Sequence, residues 1–235
     1  MEYENKYINY KDKYIKYKNK YLQLLAKIGG NGDTTSVKTS VPKILEKIEI
    51  NGKTYIILNN ILGRGVDGII YEAILGEEKI VVKVMETSGS DTLRSEEQFN
   101  NFKKMNELAF TIGIGPKIFD IIKKDDKVYL FMDNLDMTLS EWTKEKLKQG
   151  IPWSSILEEI GKIVFPIHAL MRDNYISIGD DNADNYMKKK DKWIRIDYNQ
   201  NEFKKSPKDV YKKFIIFHPI DMKPYKIIDS EYIKN

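Results

Sequence analysis

The sequence feature that most constrains the fold is a glycine-rich run, Gly63-Arg64-Gly65-Val66-Asp67-Gly68, placed between strand-like segments at 54–62 and 69–74. Those segments are rich in Ile and Tyr, which favour strands. A dinucleotide-binding fingerprint has to open a helix, so the β context excludes that reading. Glycines in a hairpin let backbone amides approach phosphate oxygens without obstruction by side chains, but a simple surface hairpin has the same composition.

Further runs extend this hairpin into a sheet. A third strand is predicted at 79–84, and 118–122 with 128–132 reads as another hairpin. Between them, apolar residues at helical spacing predict one helix over 91–111, with Asp91 as its N-cap. We therefore expect a five-stranded antiparallel sheet with a single helix against it.

The remainder of the chain is predicted to be mostly helical. Helical periodicity covers 138–148 and 153–173, and two short strands follow around 185–187 and 193–196. His168, on the second helix, is expected to pack in the core. The fold class predicted for the whole chain is α+β.

Composition excludes several classes of site and location. There is no Cys and there are only two His, so disulfides, thiolate zinc sites and histidine metal cages are excluded. A metal would have to be a hard cation on oxygen ligands, such as magnesium. No apolar run reaches the ~20 residues of a transmembrane helix, and the N-terminus lacks a signal-peptide pattern. We expect a soluble, intracellular protein.

The first 28 residues differ from the rest in charge and pattern. The net charge is +4, and it comes from this segment, because the other residues hold 32 basic and 32 acidic side chains. Nucleic-acid binding by the neutral body is therefore not expected. Apolar and Tyr residues alternate at steps of four and three, as in a heptad seam: Tyr3, Tyr7, Tyr10, Tyr14, Tyr17, Tyr21, Leu24 and Ile28.

This pattern predicts an amphipathic Tyr/Lys-rich helical arm at 1–28, followed by a flexible linker at 29–42 rich in Gly, Asn, Thr and Ser. A lone helix of this length is marginal in water. Three destinations stay open for its stripe at residues 3–28: self-association or a partner helix, packing on its own body, or a membrane surface.

Four polar residues follow the glycine run in order. Lys83 lies in the strand Ile-Val-Val-Lys-Val, where a lone lysine commonly faces solvent. Asp180 and Asn185 stand five residues apart in a polar loop, which alone could be an acidic surface turn. Asp197 ends the apolar strand Trp-Ile-Arg-Ile.

Taken in order, the four landmarks resemble those of the protein-kinase family over 55–201, about three fifths of the chain. The resemblance implies a phosphate-covering loop at Gly63, Gly65 and Gly68 and a phosphate-binding Lys83. It also implies a catalytic Asp180 that orients the acceptor hydroxyl, and Mg²⁺ ligands at Asn185 and Asp197.

The same resemblance implies ATP as the nucleotide, with adenine bound by backbone near Asp133 and Leu135. It predicts a bilobal body, with an N-lobe at 43–133 and a shortened C-lobe at 134–235. The function expected is transfer of the γ-phosphoryl group to a hydroxyl, on protein Ser/Thr or on a small molecule.

Several positions depart from the family pattern. The helix acid that pairs with the strand lysine in kinases is replaced by Phe102, and Glu97 or Glu107 are the candidates to substitute for it. Ile178 and Asn199 occupy positions that are usually His and Gly. These departures keep a second reading open, a pseudokinase scaffold that binds nucleotide or partners without efficient transfer.

Only about 35 residues follow 201, too few for the platform that holds peptides in ordinary protein kinases. In this the chain is similar to compact atypical kinases, such as the RIO group and the KEOPS-associated kinase, and to choline and aminoglycoside phosphotransferases. The Lys-Tyr pattern of the arm resembles segments of giant DNA virus proteins, which would place the protein in the host cytoplasm or the virion.

Overall fold

Six strands form one antiparallel sheet in the order β1-β2-β3-β4-β6-β5 in the computed structural model. The strands are β1 (Ile44–Ile50), β2 (Lys53–Gly65), β3 (Gly68–Leu75), β4 (Glu78–Glu86), β5 (Ile118–Lys124) and β6 (Lys127–Asp133). The structure describes residues 43–65, 67–87, 93, 95–177, 181–198, 203, 213–217 and 224–228. The predicted arm at 1–28 and linker at 29–42 lie outside these residues.

The prediction of five strands is wrong by one. The additional strand, β1, pairs with β2 at the edge of the sheet and buries only Ile48 fully. Its sequence, Ile-Leu-Glu-Lys-Ile-Glu-Ile, carries three charged side chains. Charges are typical of edge strands and hide the alternation on which a strand prediction depends.

Both faces of the sheet are covered, because its central strands have buried residues on each side. On one face Tyr55 packs against Phe131, with ring centroids 4.1 Å apart. On the other face, Val81 and Leu130 belong to a core that includes Phe102 of the helix α1 (Glu96–Thr111). The strand β4 lies at the centre of this sheet, so its residues are packed on both faces.

The helix α1 begins later than the sequence predicted. Its N-cap is Ser95, whose hydroxyl accepts a hydrogen bond from the Gln98 amide while the Gln98 side chain accepts from the Ser95 amide. This capping box is a stronger start signal than Asp91, which lies outside the described residues. After the helix, Gly115 lies so close to Ala109 that a Cβ at Gly115 would stand 2.9 Å from the Ala109 Cβ.

The second half contains the two predicted helices, but it also has more strands than predicted. Its elements are α2 (Leu139–Lys148), α3 (Trp153–Asp173) and the strands β7 (Met137–Thr138), β8 (Tyr186–Lys189), β9 (Lys192–Arg195), β10 (Lys213–Phe217) and β11 (Pro224–Ile228). The strands β7, β8 and β9 form one small sheet, and the β10–β11 hairpin, which was not predicted, forms another. None of the helices in the described ranges is long and apolar enough to cross a bilayer.

Candidate active site

The glycine-rich run forms the turn between β2 and β3. Gly65 faces Gly68 in the strand register, and Gly63 faces Ile70. Gly68 has φ +152°, and a Cβ there would stand 2.3 Å from the carbonyl oxygen of Val84. Only glycine fits such an approach, so the turn is held directly against the residue that follows Lys83.

Lys83 lies at the centre of the sheet, between Ile70 and Leu130 in the register. Its side chain is almost buried, and its Nζ stands 3.0 Å from Oδ1 of Asp197. Because Lys83 and Asp197 are 114 positions apart in the sequence, this ion pair brings two of the predicted site residues together.

Asp197 follows β9 with φ +61°, a left-handed conformation that Asp adopts more readily than most residues. Its Oδ1 is buried and makes no hydrogen bond, although it lies within ion-pair distance of Lys83. A carboxylate has about four lone-pair sites, so Asp197 keeps acceptor positions for a cation besides the one that faces the ammonium of Lys83.

Asn185 ends a short 3₁₀ helix, Ala183–Asn185, whose N-cap is Asn182. The Asn182 side chain accepts a hydrogen bond from the Asp184 amide at 2.9 Å, which fixes the turn. Asn185 is buried, and its carbonyl oxygen accepts a 2.7 Å hydrogen bond from the amide of Ile196. Because Ile196 precedes Asp197, this bond holds the two predicted metal ligands in neighbouring segments.

Three predicted positions lie outside the described residues: the catalytic Asp180 and the departures Ile178 and Asn199. Asp181, the residue after Asp180, is described and is almost buried. The role of Asp180 therefore stays a prediction from the resemblance.

The predicted adenine-binding segment begins where β6 ends. The buried Asp133 forms an ion pair with Lys189, in which the Lys189 Nζ lies 2.6 Å from the Asp133 Oδ2. The Asp133 amide donates to the carbonyl of Lys117 at 3.0 Å, and Leu135 follows as a half-buried residue. The Lys189 contact ties this segment to the β8–β9 hairpin that precedes Asp197.

The structure does not bring either proposed helix acid to the strand lysine. Glu97 is exposed in the first turn of α1. Glu107 is exposed near its end, and its carboxylate lies 4.0 Å from the ammonium of Lys103. Phe102 is buried in the core against the sheet. Among the described residues, the acid beside Lys83 is Asp197.

Sequence reasoning missed a cluster of buried polar side chains beneath Asn185 and Asp197. The cluster contains Asp181, Tyr186 and Arg195, together with His168, which was expected only to pack. Burial, followed by the charge of Asp181, raises the pKa of Tyr186 well above its ordinary value. The one signal in the sequence was an arginine inside the apolar run Trp-Ile-Arg-Ile.

A magnesium ion is compatible with the residues present. Within the described ranges no group of three or more His, Asp or Glu could hold a metal ion by itself. Mg²⁺, however, is commonly held by one or two protein oxygens plus phosphate oxygens of a nucleotide. Asp197 and Asn185 carry side-chain oxygens of that kind.

Comparison with known proteins agrees with this geometry at the level of the fold. No protein-family profile and no curated protein matches the sequence. Among solved structures, a chain described as the structure of vaccinia related kinase 3 is similar, with a TM-score of 0.50 and 16% identity. The match covers 71% of this chain, which spans about half of that chain (54%). Similarity at this identity concerns the fold alone, and it shows that the chain has a protein-kinase-like fold.

Proposed function

We propose that this protein is a phosphotransferase that binds ATP with Mg²⁺ and transfers the γ-phosphoryl group to a hydroxyl acceptor. The observation that carries the proposal is the contact between Lys83 and Asp197 at 3.0 Å beneath the glycine-rich turn. Phosphoryl transfer needs positioning and charge neutralisation more than covalent chemistry, and these residues supply both.

Each residue has a distinct task in this proposal. The turn at Gly63, Gly65 and Gly68 covers the phosphates with backbone amides, and the Lys83 ammonium binds their oxygens. Asp197 and Asn185 hold the metal, which supplies positive charge to the β- and γ-phosphates. Asp180, by resemblance, orients the acceptor hydroxyl.

The Lys83–Asp197 pair also implies an order of events. As long as the two side chains face each other, each neutralises the charge that the other would offer to the ligand. With the nucleotide and Mg²⁺ bound, the Lys83 ammonium would bind phosphate oxygens and the Asp197 carboxylate would bind the metal, so each charge would gain a partner other than its neighbour in the ion pair.

A second candidate function is a nucleotide-binding scaffold without efficient transfer. It is favoured by one observation: α1 packs on the sheet through Phe102, and the acidic side chains of α1 are exposed. A lysine held only by the metal-binding Asp197 is less restrained once the metal takes that carboxylate.

The test uses the full chain with Mg²⁺ and γ-labelled ATP, and it measures autophosphorylation, ATP hydrolysis and the thermal midpoint. We expect turnover in the wild type and a loss of at least 100-fold in Lys83→Met and Asp197→Asn. Lys79→Met is the matched control, since Lys79 lies in the same strand but is exposed, and it should keep turnover within about twofold.

Two other results would decide differently. Stabilisation by nucleotide without turnover, whether or not magnesium is present, would support the scaffold. If the wild type shows no turnover and its thermal midpoint does not change with nucleotide, both candidate functions are contradicted. With an active preparation, panels of Ser/Thr peptides and of small hydroxyl metabolites would separate the two classes of acceptor.

A further inference from the structure

Four buried polar side chains form one connected cluster, here called the loop-support cluster: His168, Asp181, Tyr186 and Arg195. The exposed fractions of their side chains or residues are 5%, 7%, 0% and 0%, respectively. The Tyr186 hydroxyl donates to Oδ1 of Asp181 at 2.5 Å, and His168 Nε2 lies 2.6 Å from the same hydroxyl. Because that hydroxyl gives its proton to Asp181, Nε2 is the donor to it.

Further contacts to the carboxylate of Asp181 complete the cluster. His168 Nε2 stands 3.2 Å from Oδ2 of Asp181, and Arg195 Nε stands 3.9 Å from Oδ1. The Arg195 guanidinium also lies over the ring of Tyr198, 5.2 Å from its centroid. The single carboxylate of Asp181 is therefore surrounded by three groups from α3, β8 and β9.

The members of the cluster are sequence neighbours of the predicted site residues. Tyr186 directly follows Asn185, and Arg195 stands two residues before Asp197. Asp181 directly follows Asp180. One buried carboxylate thus connects the segments that carry both predicted metal ligands.

Hydrogen bonds to backbone carbonyls connect the cluster with the segments that carry those ligands. The Arg195 amide donates to the carbonyl of Ile114 at 2.7 Å, and the Tyr198 hydroxyl donates to the same carbonyl at 3.1 Å. The Ile196 amide donates to the Asn185 carbonyl. The stretch that contains Asp197 is therefore fixed on both sides.

Burying an ionised pair costs solvation energy, and well-packed apolar residues of the same volume commonly give equal or greater stability. An apolar pair, however, does not fix the orientation of its side chains. Hydrogen bonds and charge contacts do, because they depend on distance and angle more strongly than dispersion contacts. A cluster of this kind beneath a site of metal ligands serves geometry more than stability.

We propose that the loop-support cluster positions Asn185 and Asp197, so that His168, Asp181, Tyr186 and Arg195 are positioning residues for transfer. This inference rests on the proposed function. The cluster touches neither nucleotide nor metal in this assignment, and it acts through the two segments it joins.

The test compares two variants that each remove one buried hydroxyl. Tyr186→Phe removes the donor to Asp181 without leaving an isolated buried charge. Tyr55→Phe is the matched control, because Tyr55 is equally buried and donates to the carboxylate of Asp120, on the sheet away from the cluster. Arg195→Met and Asp181→Asn are less suitable for this test, because each leaves a buried charge unpaired.

In Tyr186→Phe we expect kcat to fall about 10- to 100-fold, with KM for ATP within about threefold of wild type. In Tyr55→Phe we expect both constants to stay within about twofold, whatever the thermal midpoint does. Equal kcat in the two variants would overturn the proposal, because destabilisation alone affects both.

Amide hydrogen exchange supplies a measurement that does not need activity. The Ile196 amide, which donates to Asn185, should exchange at least tenfold faster in Tyr186→Phe than in wild type and be unchanged in Tyr55→Phe. An inactive wild type would refute the proposed function, whereas unchanged exchange at Ile196 would refute the positioning role. The two failures are thus distinguishable.

Discussion

The helices α1 and α3 stand behind the two halves of the candidate site and support them by different means. α1 packs on the sheet that carries Lys83 through the buried Phe102, and its acidic side chains are exposed. α3 places His168 in a buried polar cluster beneath Asn185 and Asp197. The buried charged side chains that lie near the site are therefore on the side of α3, and the ion-pair partner of Lys83 is Asp197.

This difference has a consequence for how each half responds to change. The α1 side, meaning Phe102 and the sheet residues that it contacts, is an apolar core, in which a mutation costs packing energy but leaves no charge unpaired. The α3 side, meaning the loop-support cluster, holds charges away from water, where the loss of one partner leaves the other unsatisfied. Perturbing the two sides should therefore have different effects on stability and on turnover.

The largest effect is expected from Arg195→Met. Removal of the fully buried guanidinium leaves Asp181 without its cation, and the free energy of unfolding should fall by about 3–5 kcal/mol. Lys83→Met removes a charge from an ion pair with a partly exposed partner and should cost about 1 kcal/mol or less. Urea unfolding without nucleotide measures both, and equal losses would contradict the comparison.

Next in size is Phe102→Ala, on the α1 side. It creates a cavity between α1 and the sheet and should reduce the free energy of unfolding by about 3 kcal/mol. Turnover per folded molecule should change by less than about threefold, because Phe102 makes no polar contact with the site. A selective loss of kcat in the folded protein would show that α1 does more than pack.

A smaller effect is expected on the free energy of unfolding at alkaline pH. It tests whether water is excluded from the Tyr186 hydroxyl. Burial, with the charge of Asp181, raises the pKa of Tyr186 in the folded protein well above the value of about 10 in the unfolded chain. The stability from this group is complete below pH 10 and is lost as pH rises toward the folded pKa.

Between pH 9 and pH 11, wild type should therefore lose about 1.4 kcal/mol more unfolding free energy than Tyr186→Phe. Urea unfolding at both pH values, with the same buffer ions, gives the difference. Identical losses in the two proteins would mean that water reaches the Tyr186 hydroxyl, which the burial in the structure contradicts.

Much of the architecture could be predicted because each element carries its own local signal. The two long helices of the second half, α2 and α3, have the predicted bounds nearly to the residue, since helical periodicity and the stops around them agree. The charged edge strand β1 was not predicted, because its pairing with β2, rather than its own sequence pattern, makes it a strand.

The site divides in the same way. Lys83 and Asp197 could be named from an ordered set of local patterns, and the structure places them 3.0 Å apart. The loop-support cluster could not, because Asp181 and Arg195 acquire a role only when separate segments meet below the surface. Spacing along the chain contains no information on that encounter.

The smallest effect expected is also the most direct test of the comparison. Glu97→Gln and Glu107→Gln each remove an exposed acid of α1, so stability should change by less than about 0.5 kcal/mol. Turnover should stay within about twofold, with Lys83→Met in the same assay as the inactive reference. A collapse of turnover in one Gln variant alone would mean that α1 rotates in the working state and brings that acid to Lys83. The two sides would then share the charge support, and the pairing of Lys83 with Asp197 would describe only the resting protein.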